Sequence, residues 1–564
     1  MLVRNYPEGG TVYSRRKFLR DASWVVGMGA TAPAAFKSEA QQTTSGAWTP
    51  TPEQSAAWVA KAEALKPALT EVNEPALRLV RPVADPGLYL RWRMETDAPA
   101  DALREKTFNA GDSFTLDFGG HRAGFLSFLL EGVGHSVDAP ARLKLTFGEV
   151  PGTVAEPLHP YHGNLSEAWL PEEIITVDFL PQRVRMPRRY AFRYVRVDVI
   201  ATSSSYAARM TDFTAHGVSS ATGTPAPLPL TVPENLRRID AVSLKTLHDC
   251  MQTVFEDGVK RDQRLWIGDM RVQAMANYAT FRNYALARRC LYLLAAFPRE
   301  DGMLHANVFE KPTPRASGDV CLDYAALYVA MLADYVQASG DVAAARDLWP
   351  VAQRQLELVG RNVNQQGIVV IPEKVWVFID WQQALDKTAS MHGVLLYCYR
   401  RGQELARTLG DDRSAAAYGK QIAAMTAAAR SAFFDAQRGV FVSGPARQVS
   451  WASQAWMVLA EVARGQEAAT ALQRAMAHPD AVLPGTPYLH HTMLEALTAC
   501  GEREAARKLM DGYWGAMVDD GADTFWEVFD PKDSRFSPYG DVHINSFCHG
   551  WSGTPAWFLR TGRI

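Results

Sequence analysis

VQAMANYATFRNYALARRCLYLLAAF (residues 272–297) and CLDYAALYVAMLADYVQAS (321–339) carry apolar residues at intervals of three and four along most of their length. That spacing places the apolar side chains on one face of an α-helix. The same period recurs through the second half of the chain, for example in ASMHGVLLYCYRRGQELARTLG (389–410) and PYLHHTMLEALTACG (487–501). These segments predict an all-helical domain over residues 234–564.

The number and arrangement of these helical segments favour a closed ring. About ten to twelve helices are predicted, and irregular loops of unequal length join them. A helical solenoid is the main alternative, but such a fold is built from repeats of about 34 or 40 residues, and no self-similarity of that kind is visible. We therefore predict an (α/α)6 toroid, which is a double ring of six helix hairpins.

Between residues 78 and 220 the period changes from helical to alternating. SFTLDFGG (113–120), RLKLTFGEV (142–150) and YAFRYVRVDVIA (190–201) alternate apolar with polar residues, and Gly, Pro, Asn and Asp lie in the gaps. Several short strands with turns of this kind predict a β-sandwich domain over 78–220. A Pro-, Thr- and Gly-rich linker at 221–233 is expected to separate this domain from the toroid.

The N-terminus has the composition of an export signal. SRRKFLR (14–20) contains paired arginines and precedes WVVGMGATAPAA (24–35), a short apolar stretch rich in small residues. This order is typical of a twin-arginine signal peptide, predicted here over 1–38, although a chance Arg-Arg pair in a tail is the alternative. The mature protein would begin with a lead-in segment at 39–77. We expect it in the periplasm or outside the cell, and not in a membrane.

The composition argues against some classes of function. The 564 residues include 59 Lys and Arg against 61 Asp and Glu, so the formal net charge is only −2, and a broad nucleic-acid-binding surface is not expected. The 15 Trp, 19 Tyr and 24 Phe offer aromatic faces that can stack on sugar rings. The six cysteines are widely spaced without a Cys-x-x-Cys pair, which predicts small buried apolar side chains. Nothing in the sequence indicates an oligomeric state.

The densest group of candidate functional residues lies in EDGVKRDQRLWIGDM (256–270), a predicted loop between two helices. The loop interleaves aspartates with basic residues and one tryptophan, namely Asp257, Lys260, Arg261, Asp262, Arg264, Trp266 and Asp269. Glycoside hydrolysis uses such a set, because one carboxyl must keep a proton for the leaving oxygen and neighbouring negative charges raise its pKa. Other carboxylates can bind sugar hydroxyls, and an aromatic ring can pack on the sugar. A salt-bridged surface loop is the alternative.

Two further candidates lie near the C-terminus. In ADTFWEVFD (522–530), Glu527 is flanked by Phe, Trp and Val. An acid in so apolar a run is either half-buried for chemistry or the exposed residue of a helix or strand, and composition does not decide between the two. NSFCHGWSGTPAWFL (545–559) contains His549, which is either a ligand of a sugar hydroxyl or a structural histidine.

These motifs together resemble those of a known family. The loop reads D-x-x-x-R-[acid]-x-R-x-W-x-G-D from Asp257 to Asp269, and it looks like the signature of glycoside hydrolase family 78, the bacterial α-L-rhamnosidases. FWE (525–527) resembles the family's segment that carries the general base. Further similar segments follow the family's order over roughly residues 110–560. They are FTLDFGGHRAGFLSFLLEG (114–132), LDYAALYVAMLADYVQASGD (322–341), FIDW (378–381) and SFCHGWSGTPAWFL (546–559).

The resemblance implies an exo-acting, inverting glycosidase that releases terminal α-L-rhamnose, or a related deoxy sugar, from a glycoside or glycan. By resemblance, Asp262 is the general acid and Glu527 is the general base that activates water. The implied sugar-binding residues are Asp257, Arg261, Trp266, Asp269, Trp381 and His549. The resemblance implies no metal and no other cofactor.

The chain departs from the family pattern at three points. Asp262 stands where the family more often has Glu, which puts the substrate geometry in question because Asp is one methylene shorter. Gly258 and Val259 replace the usual Cys-Pro pair. Many members also carry a further C-terminal β-domain, for which no residues follow Ile564 in this sequence.

The residues leave several other functions open. A different glycosidase, a phosphorylase or a lyase could use the same toroid, and so could a non-catalytic sugar-binding protein. An acid at Glu527 argues against a phosphorylase, which replaces the base with a phosphate-binding site. Loss of either catalytic acid would favour a non-catalytic protein, and both candidates are present.

Overall fold

The computed structural model describes residues 48–564. The predicted signal peptide at 1–38 and the first part of the lead-in therefore lie outside the described residues. The described chain forms a β-sandwich followed by a ring of helices, which confirms the predicted fold class.

The lead-in segment contains a helix that packs against the toroid. Helix α1 (Pro52–Ala64) begins at a capping box in which the Thr51 hydroxyl accepts the Gln54 N–H and the Gln54 side chain accepts the Thr51 N–H. Two such reciprocal bonds satisfy N–H groups that a helix start leaves unpaired. Trp58 is buried and donates its indole N–H to Asp347 over 3.1 Å. The lead-in is therefore docked on the helical domain.

The sandwich contains nine strands. They are β1 (Thr70–Pro75), β2 (Arg78–Ala84), β3 (Trp92–Pro99), β4 (Ser113–Gly134), β5 (Ala141–Gly148), β6 (Glu172–Val177), β7 (Gln182–Arg185), β8 (Tyr190–Ala201) and β9 (Tyr206–Ser219), with a short helix α2 (Pro151–Ala155) after β5. Strand β1 starts the sheet eight residues before the predicted boundary at 78. Its sequence, TEVNEP, is mostly exposed and does not alternate apolar with polar residues. The pattern therefore does not predict a strand there.

The long strand β4 joins the two layers. Its first part pairs with β2 and β8, and its second part pairs with β7 and β9. The register with β8 shifts between Asp117 and Arg122, where the strand passes from one layer to the other. The apolar core between the layers includes Leu116, Phe128, Leu143, Phe147, Phe192 and Val197. Residues 221–233, all of them described, then contain no helix or strand.

The helical domain is an alternating double ring. The outer helices are α3 (Glu234–Cys250), α5 (Tyr284–Ala295), α7 (Val342–Gly360), α9 (Asp412–Phe433), α11 (Gly465–Ala477) and α13 (Arg503–Met510). The inner helices are α4 (Ile267–Ala279), α6 (Leu322–Ser339), α8 (Thr388–Leu409), α10 (Trp451–Leu459), α12 (Pro487–Ala499) and α15 (Pro555–Arg560). A one-turn helix α14 (Ala516–Asp519) follows α13.

The ring closes because its last helix packs against its first two. Helix α15 contacts both α3 and α4, and each inner helix packs on the inner helix of the next hairpin, from α4 to α6, α8, α10 and α12. The inner helices are buried almost all round, as in α6, where fourteen of eighteen residues are buried. Within residues 48–564 no helix has the length and apolar character needed to cross a membrane.

Candidate active site

Two segments almost 300 residues apart meet to form the site. Gly258, in the loop before α4, pairs with His549 as an isolated β-bridge. The Gly550 N–H donates to the Asp257 carbonyl over 2.6 Å. Glu527 is tied to the same closing segment, because its N–H donates to the Ser546 carbonyl over 2.9 Å. These backbone bonds bring together the three motifs that the sequence singled out.

Glu527 is a buried carboxylate held by three donors. It is 1% exposed. Its Oε2 accepts hydrogen bonds from Nη2 of Arg261 over 2.6 Å and from the Ser546 N–H over 3.2 Å, and its Oε1 accepts one from the Tyr539 hydroxyl over 2.5 Å. Hydrogen bonds to a carboxylate favour its charged form. Glu527 is therefore arranged as an ionised group that can accept a proton.

Arg261 is fully buried and supports that charge. Its guanidinium lies 4.1 Å above the Tyr539 ring, and its Nε donates to the Ile544 carbonyl over 2.6 Å. Burial alone would lower the pKa of Arg261, but the charges of Glu527, Tyr539 and Asp262 hold it above its usual value. Arg261 therefore carries a fixed positive charge between the two candidate catalytic acids.

Asp262 lies between two arginines and has little solvent contact. Its Oδ1 is 3.8 Å from Nη1 of Arg261 and its Oδ2 is 3.7 Å from Nη1 of Arg264, while the residue is 9% exposed. Both distances exceed those of a hydrogen bond. Both candidate acids therefore lie beside Arg261, Glu527 at 2.6 Å and Asp262 at 3.8 Å.

Asp257 is engaged with the backbone of its own loop. Its Oδ2 accepts the N–H of Asp262 over 3.2 Å, and its Oδ1 accepts the N–H of Arg264 over 3.0 Å. These two bonds fix the loop that presents Asp262. The resemblance implied that Asp257 binds the sugar, and the structure places its carboxylate on the loop backbone.

His549 lies close to both Glu527 and Asp269. The Tyr324 hydroxyl donates to Asp269 over 3.5 Å, and Asp269 is in the first turn of α4. His549 has Nδ1 3.9 Å from Asp269 and Nε2 4.0 Å from Glu527. Trp266 is buried and packs edge-on against Trp376, with ring centroids 5.9 Å apart. The structure thus brings most of the predicted site residues into one cluster.

Trp381 lies at the rim, on a segment that two buried aspartates hold. Asp323 accepts the N–H groups of Phe378 and Ile379, each over 2.9 Å. Asp380 accepts the N–H of Trp381 over 2.9 Å, and it also binds Gly485 and Thr486 at the start of α12 over 2.6 Å each. Burial raises the pKa of Asp380 to about 6 against the effect of these bonds. Trp381 is half-buried and faces the Tyr539 ring edge-on at 5.8 Å.

Comparison with known proteins decides the family. The glycosyl hydrolase family 78 α-rhamnosidase N-terminal domain matches residues 76–217. The bacterial α-L-rhamnosidase six-hairpin glycosidase domain matches residues 231–562, which is more than half of the chain. The chain belongs to glycoside hydrolase family 78. It is accordingly a glycoside hydrolase of the α-L-rhamnosidase type, as its motifs predicted.

Solved structures of other rhamnosidases are similar to this one. The rhamnosidase from Klebsiella oxytoca with rhamnose bound is 44% identical, with a TM-score of 0.88 over 90% of this chain and 99% of that chain. The rhamnosidase of Bacillus sp. GL1 is 20% identical, with a TM-score of 0.70 over 83% of this chain and 49% of that chain. The α-L-rhamnosidase of Streptomyces avermitilis complexed with L-rhamnose is 19% identical, with a TM-score of 0.62 over 88% and 44%. A search of curated proteins gave no significant match.

The candidate site also includes residues that the sequence did not indicate. Tyr539 bonds to Glu527 and stacks on Arg261, yet it lies in a polar loop with no motif around it. The loop between β5 and β6 of the sandwich reaches the site as well, because the Asn164 N–H donates to the Tyr539 carbonyl over 2.8 Å. Tyr161 and Trp169 of that loop pack in one apolar cluster with Tyr539 and Trp381. The aromatic residues in the loop are its only sequence signal, and they do not indicate which surface they meet.

Proposed function

We propose that this enzyme hydrolyses the glycosidic bond of a terminal α-L-rhamnose, or of a related 6-deoxy sugar, with inversion at the anomeric carbon. The observation that carries the proposal is the pair of buried acids, Asp262 and Glu527, that flank the Arg261 guanidinium. The similarity to the Klebsiella oxytoca rhamnosidase, whose structure has rhamnose bound, supports the choice of sugar.

In the proposed mechanism Asp262 protonates the leaving oxygen. This role requires a carboxyl that can hold a proton, and Asp262 is a buried acid that lies 3.8 Å from Arg261 and 3.7 Å from Arg264. As the bond to the leaving group breaks, positive charge develops on the sugar ring. The backbone bonds from the Asp262 and Arg264 N–H groups to Asp257 keep this acid at a fixed position.

Glu527 completes the reaction from the opposite face of the sugar. Its carboxylate takes a proton from a water molecule as that water attacks the anomeric carbon. Inverting glycosidases separate their two carboxyls by about 6.5–9.5 Å so that the water fits between base and sugar. Hydrogen bonds from Arg261, Tyr539 and the Ser546 N–H orient the carboxylate.

The other site residues are proposed to bind the sugar. His549 lies 3.9 Å from Asp269 and 4.0 Å from Glu527, and hydroxyls of the sugar are proposed to bind to Asp269, His549 and Arg261. Trp266 and Trp381 line the apolar side. Asp257 is proposed to act through the loop, and a direct contact with the sugar is the alternative role for it.

A panel of aryl glycosides with proton NMR of the products tests this proposal. Cleavage of the α-L-rhamnoside with β-L-rhamnose as the first product is expected. First release of the α-anomer would contradict inversion. An unsaturated product would indicate a lyase, turnover only with phosphate a phosphorylase, and binding without turnover a non-catalytic protein.

We also propose that the enzyme is exported by the twin-arginine route. The proposal rests on Arg15 and Arg16 and the apolar stretch after them, which lie outside the described residues. Replacing both arginines with lysine should leave the precursor in the cytoplasm, as cell fractionation would show. Unchanged delivery to the periplasm would contradict it.

A further inference from the structure

Glu149 is a buried carboxylate of the sandwich that reaches the proposed catalytic residues. It follows strand β5 and is 3% exposed. Its Oε2 accepts the N–H of Phe547 over 2.9 Å, and the same oxygen lies 3.9 Å from Nζ of Lys260. Phe547 belongs to the closing segment before α15, and Lys260 belongs to the loop before α4. One side chain of the sandwich therefore contacts both segments from which the site is built.

The contact with Phe547 is one peptide group away from the proposed general base. The N–H of Phe547 and the carbonyl of Ser546 belong to the same peptide group, and that carbonyl accepts the N–H of Glu527 over 2.9 Å. Because a peptide group is planar, a carboxylate that holds its N–H also fixes the direction of its carbonyl. The N–H of Ser546 in turn donates to Oε2 of Glu527 over 3.2 Å. A continuous chain of hydrogen bonds thus runs from Glu149 to both the backbone and the carboxylate of Glu527.

The contact with Lys260 reaches the second segment. Nζ of Lys260 donates to the carbonyls of His543 and Asn545 over 2.7 and 2.9 Å. Burial lowers the pKa of Lys260 to about 8, although the charge of Glu149 opposes that decrease. The next residue along the chain is Arg261, whose guanidinium lies between the two proposed catalytic acids. Glu149 therefore also supports the lysine that ties the loop of Arg261 to the closing segment.

His121 holds the other oxygen of Glu149. Nε2 of His121 is 3.3 Å from Oε1 of Glu149, and Nδ1 is 2.7 Å from Oδ2 of Asp249 near the end of α3. Burial would lower the pKa of His121, but Cys548 and the two carboxylates raise it well above its usual value. A protonated ring between two carboxylates compensates for their buried charge. His121 therefore keeps Glu149 ionised at a fixed position.

We propose that Glu149 is a positioning residue for the general base and acts through the peptide group of Ser546 and Phe547. The inference rests on the proposed function, in which Glu527 activates water. Movement of this peptide group would displace Glu527 and weaken the bond from the Ser546 N–H to its carboxylate. Since hydrogen bonds to a carboxylate favour its charged form, that loss would also raise the pKa of Glu527. The sandwich thereby contributes to catalysis in addition to packing against the toroid.

Kinetics of Glu149→Ala in the full-length mature enzyme test the proposal. The variant lacks the acceptor of the Phe547 N–H, so we expect kcat on the nitrophenyl rhamnoside to fall by about 10- to 100-fold, the effect of one hydrogen bond to a charged group. A natural rhamnoside should lose activity by the same factor, because every substrate needs the base. The acidic limb of the kcat/KM profile reports the ionisation of the base, so it should move to higher pH. The inhibition constant of free rhamnose should stay near the wild-type value.

Glu149→Gln separates the hydrogen bond from the charge. Its side-chain carbonyl can still accept the Phe547 N–H, so this variant should recover most of the lost kcat and the acidic limb of the wild type. Its Tm should nevertheless decrease, because His121 and Lys260 lose a charged partner. If Glu149→Ala does not fold, Glu149→Asp keeps the charge and withdraws the carboxylate by one methylene. That variant should show the same shift of the acidic limb to higher pH.

Asp347→Ala is the matched control. Asp347 lies on the outer helix α7 and, like Glu149, it is a carboxylate that joins two parts of the chain, since it accepts the indole N–H of Trp58 over 3.1 Å. Its loss should lower Tm and leave both kcat and the pH profile unchanged. A change in Tm alone is therefore the signature of a purely structural contact.

Any of four results would overturn the proposal. The first is a folded Glu149→Ala or Glu149→Asp enzyme with the kcat and the acidic limb of the wild type, which would give Glu149 a role in stability alone. The second is a loss confined to the natural rhamnoside, which would connect Glu149 with the general acid. The third is a weaker inhibition constant of rhamnose with unchanged kcat, and the fourth is a Glu149→Gln variant as impaired in kcat as Glu149→Ala. Failure of the proposed function would instead appear in the wild-type enzyme as no cleavage of α-L-rhamnosides, or as full activity in Glu527→Gln.

Discussion

Nη2 of Arg261 lies 2.6 Å from Oε2 of Glu527, and both side chains are at most 2% exposed. An ion pair in such surroundings is costly to disrupt, because removal of one partner leaves the other charge buried without compensation. The pair joins the loop before α4 to the segment before α15, in addition to the backbone contacts of Gly258 with His549 and of Asp257 with Gly550.

Replacement of this arginine should therefore damage catalysis. In Arg261→Gln the carboxylate of Glu527 loses its charged partner and its fixed orientation, so we expect kcat/KM to fall by at least about 100-fold, the lower range of a general base contribution. Steady-state kinetics on an aryl rhamnoside measure the loss. Arg299→Gln, at an exposed arginine paired with Asp301, is the control and should keep wild-type kinetics. Comparable activity in Arg261→Gln would show that the pair serves stability alone.

The variant Asp257→Asn tests whether Asp257 holds the loop of Asp262 in place or binds the sugar directly. An amide in Asp257→Asn can accept only one of the two N–H bonds well, and loss of a hydrogen bond to a charged group costs about 1.5–3 kcal/mol. If Asp257 fixes the loop of Asp262, kcat should fall by about 10- to 100-fold, while the inhibition constant of free rhamnose should stay the same. A weaker inhibition constant in the variant would instead show that Asp257 binds the sugar directly.

Asp380 predicts a pH dependence of stability. Its pKa is about 6 in the folded protein against an ordinary value of 3.8, so the folded state binds more protons than the unfolded state between these values. The free energy of unfolding should therefore decrease as pH rises from about 4 to about 6, by about 3 kcal/mol from this group, and change no further above that range. Urea unfolding across this range should show a shallower decrease in Asp380→Asn than in the wild type. If the free energy of unfolding changes with pH equally in the wild type and in Asp380→Asn, the pKa of Asp380 is not raised.

The sequence predicted the architecture well because the spacing of apolar residues shows which face of each helix or strand is buried. The inner helices of the toroid and the paired strands of the sandwich are both apolar on their buried faces. Strand β1 was not predicted because TEVNEP is an exposed edge strand without an apolar face. Its backbone pairing with β9 makes it a strand, and that pairing cannot be recognised from its own residues.

The candidate site could be predicted only in part, since motifs identify residues but not the groups that they meet. Glu527 and Asp262 were found from their neighbours in sequence. The contact of Asn164 with Tyr539 joins two domains. The hydrogen bond from the Asp262 N–H to the Asp257 carboxylate depends on the conformation of their loop. The six cysteines were expected to be ordinary apolar side chains. Two of them lie together at the domain junction, which their spacing of 298 residues does not reveal.

The two proposed catalytic acids can be separated by the leaving group. Asp262 is proposed to protonate the leaving oxygen, and nitrophenolate leaves readily without that proton. Asp262→Asn should therefore nearly abolish cleavage of a natural rhamnoside with an alkyl or sugar aglycone and retain much more activity on the nitrophenyl rhamnoside. General acid catalysis contributes about 10²–10⁴-fold, so the ratio of the two activities should change clearly. Single-substrate kinetics on both glycosides measure that ratio.

Glu527→Gln is the matched variant, because activation of water is needed for every substrate. We expect it to reduce both activities by a similar factor and to leave their ratio near that of the wild type. Azide added to Glu527→Ala should restore turnover, because azide attacks without a base, and the product should be the glycosyl azide of inverted configuration. If the selective retention occurs in Glu527→Gln and not in Asp262→Asn, the two roles are reversed. If both variants are folded and fully active, the reaction takes place elsewhere in the molecule.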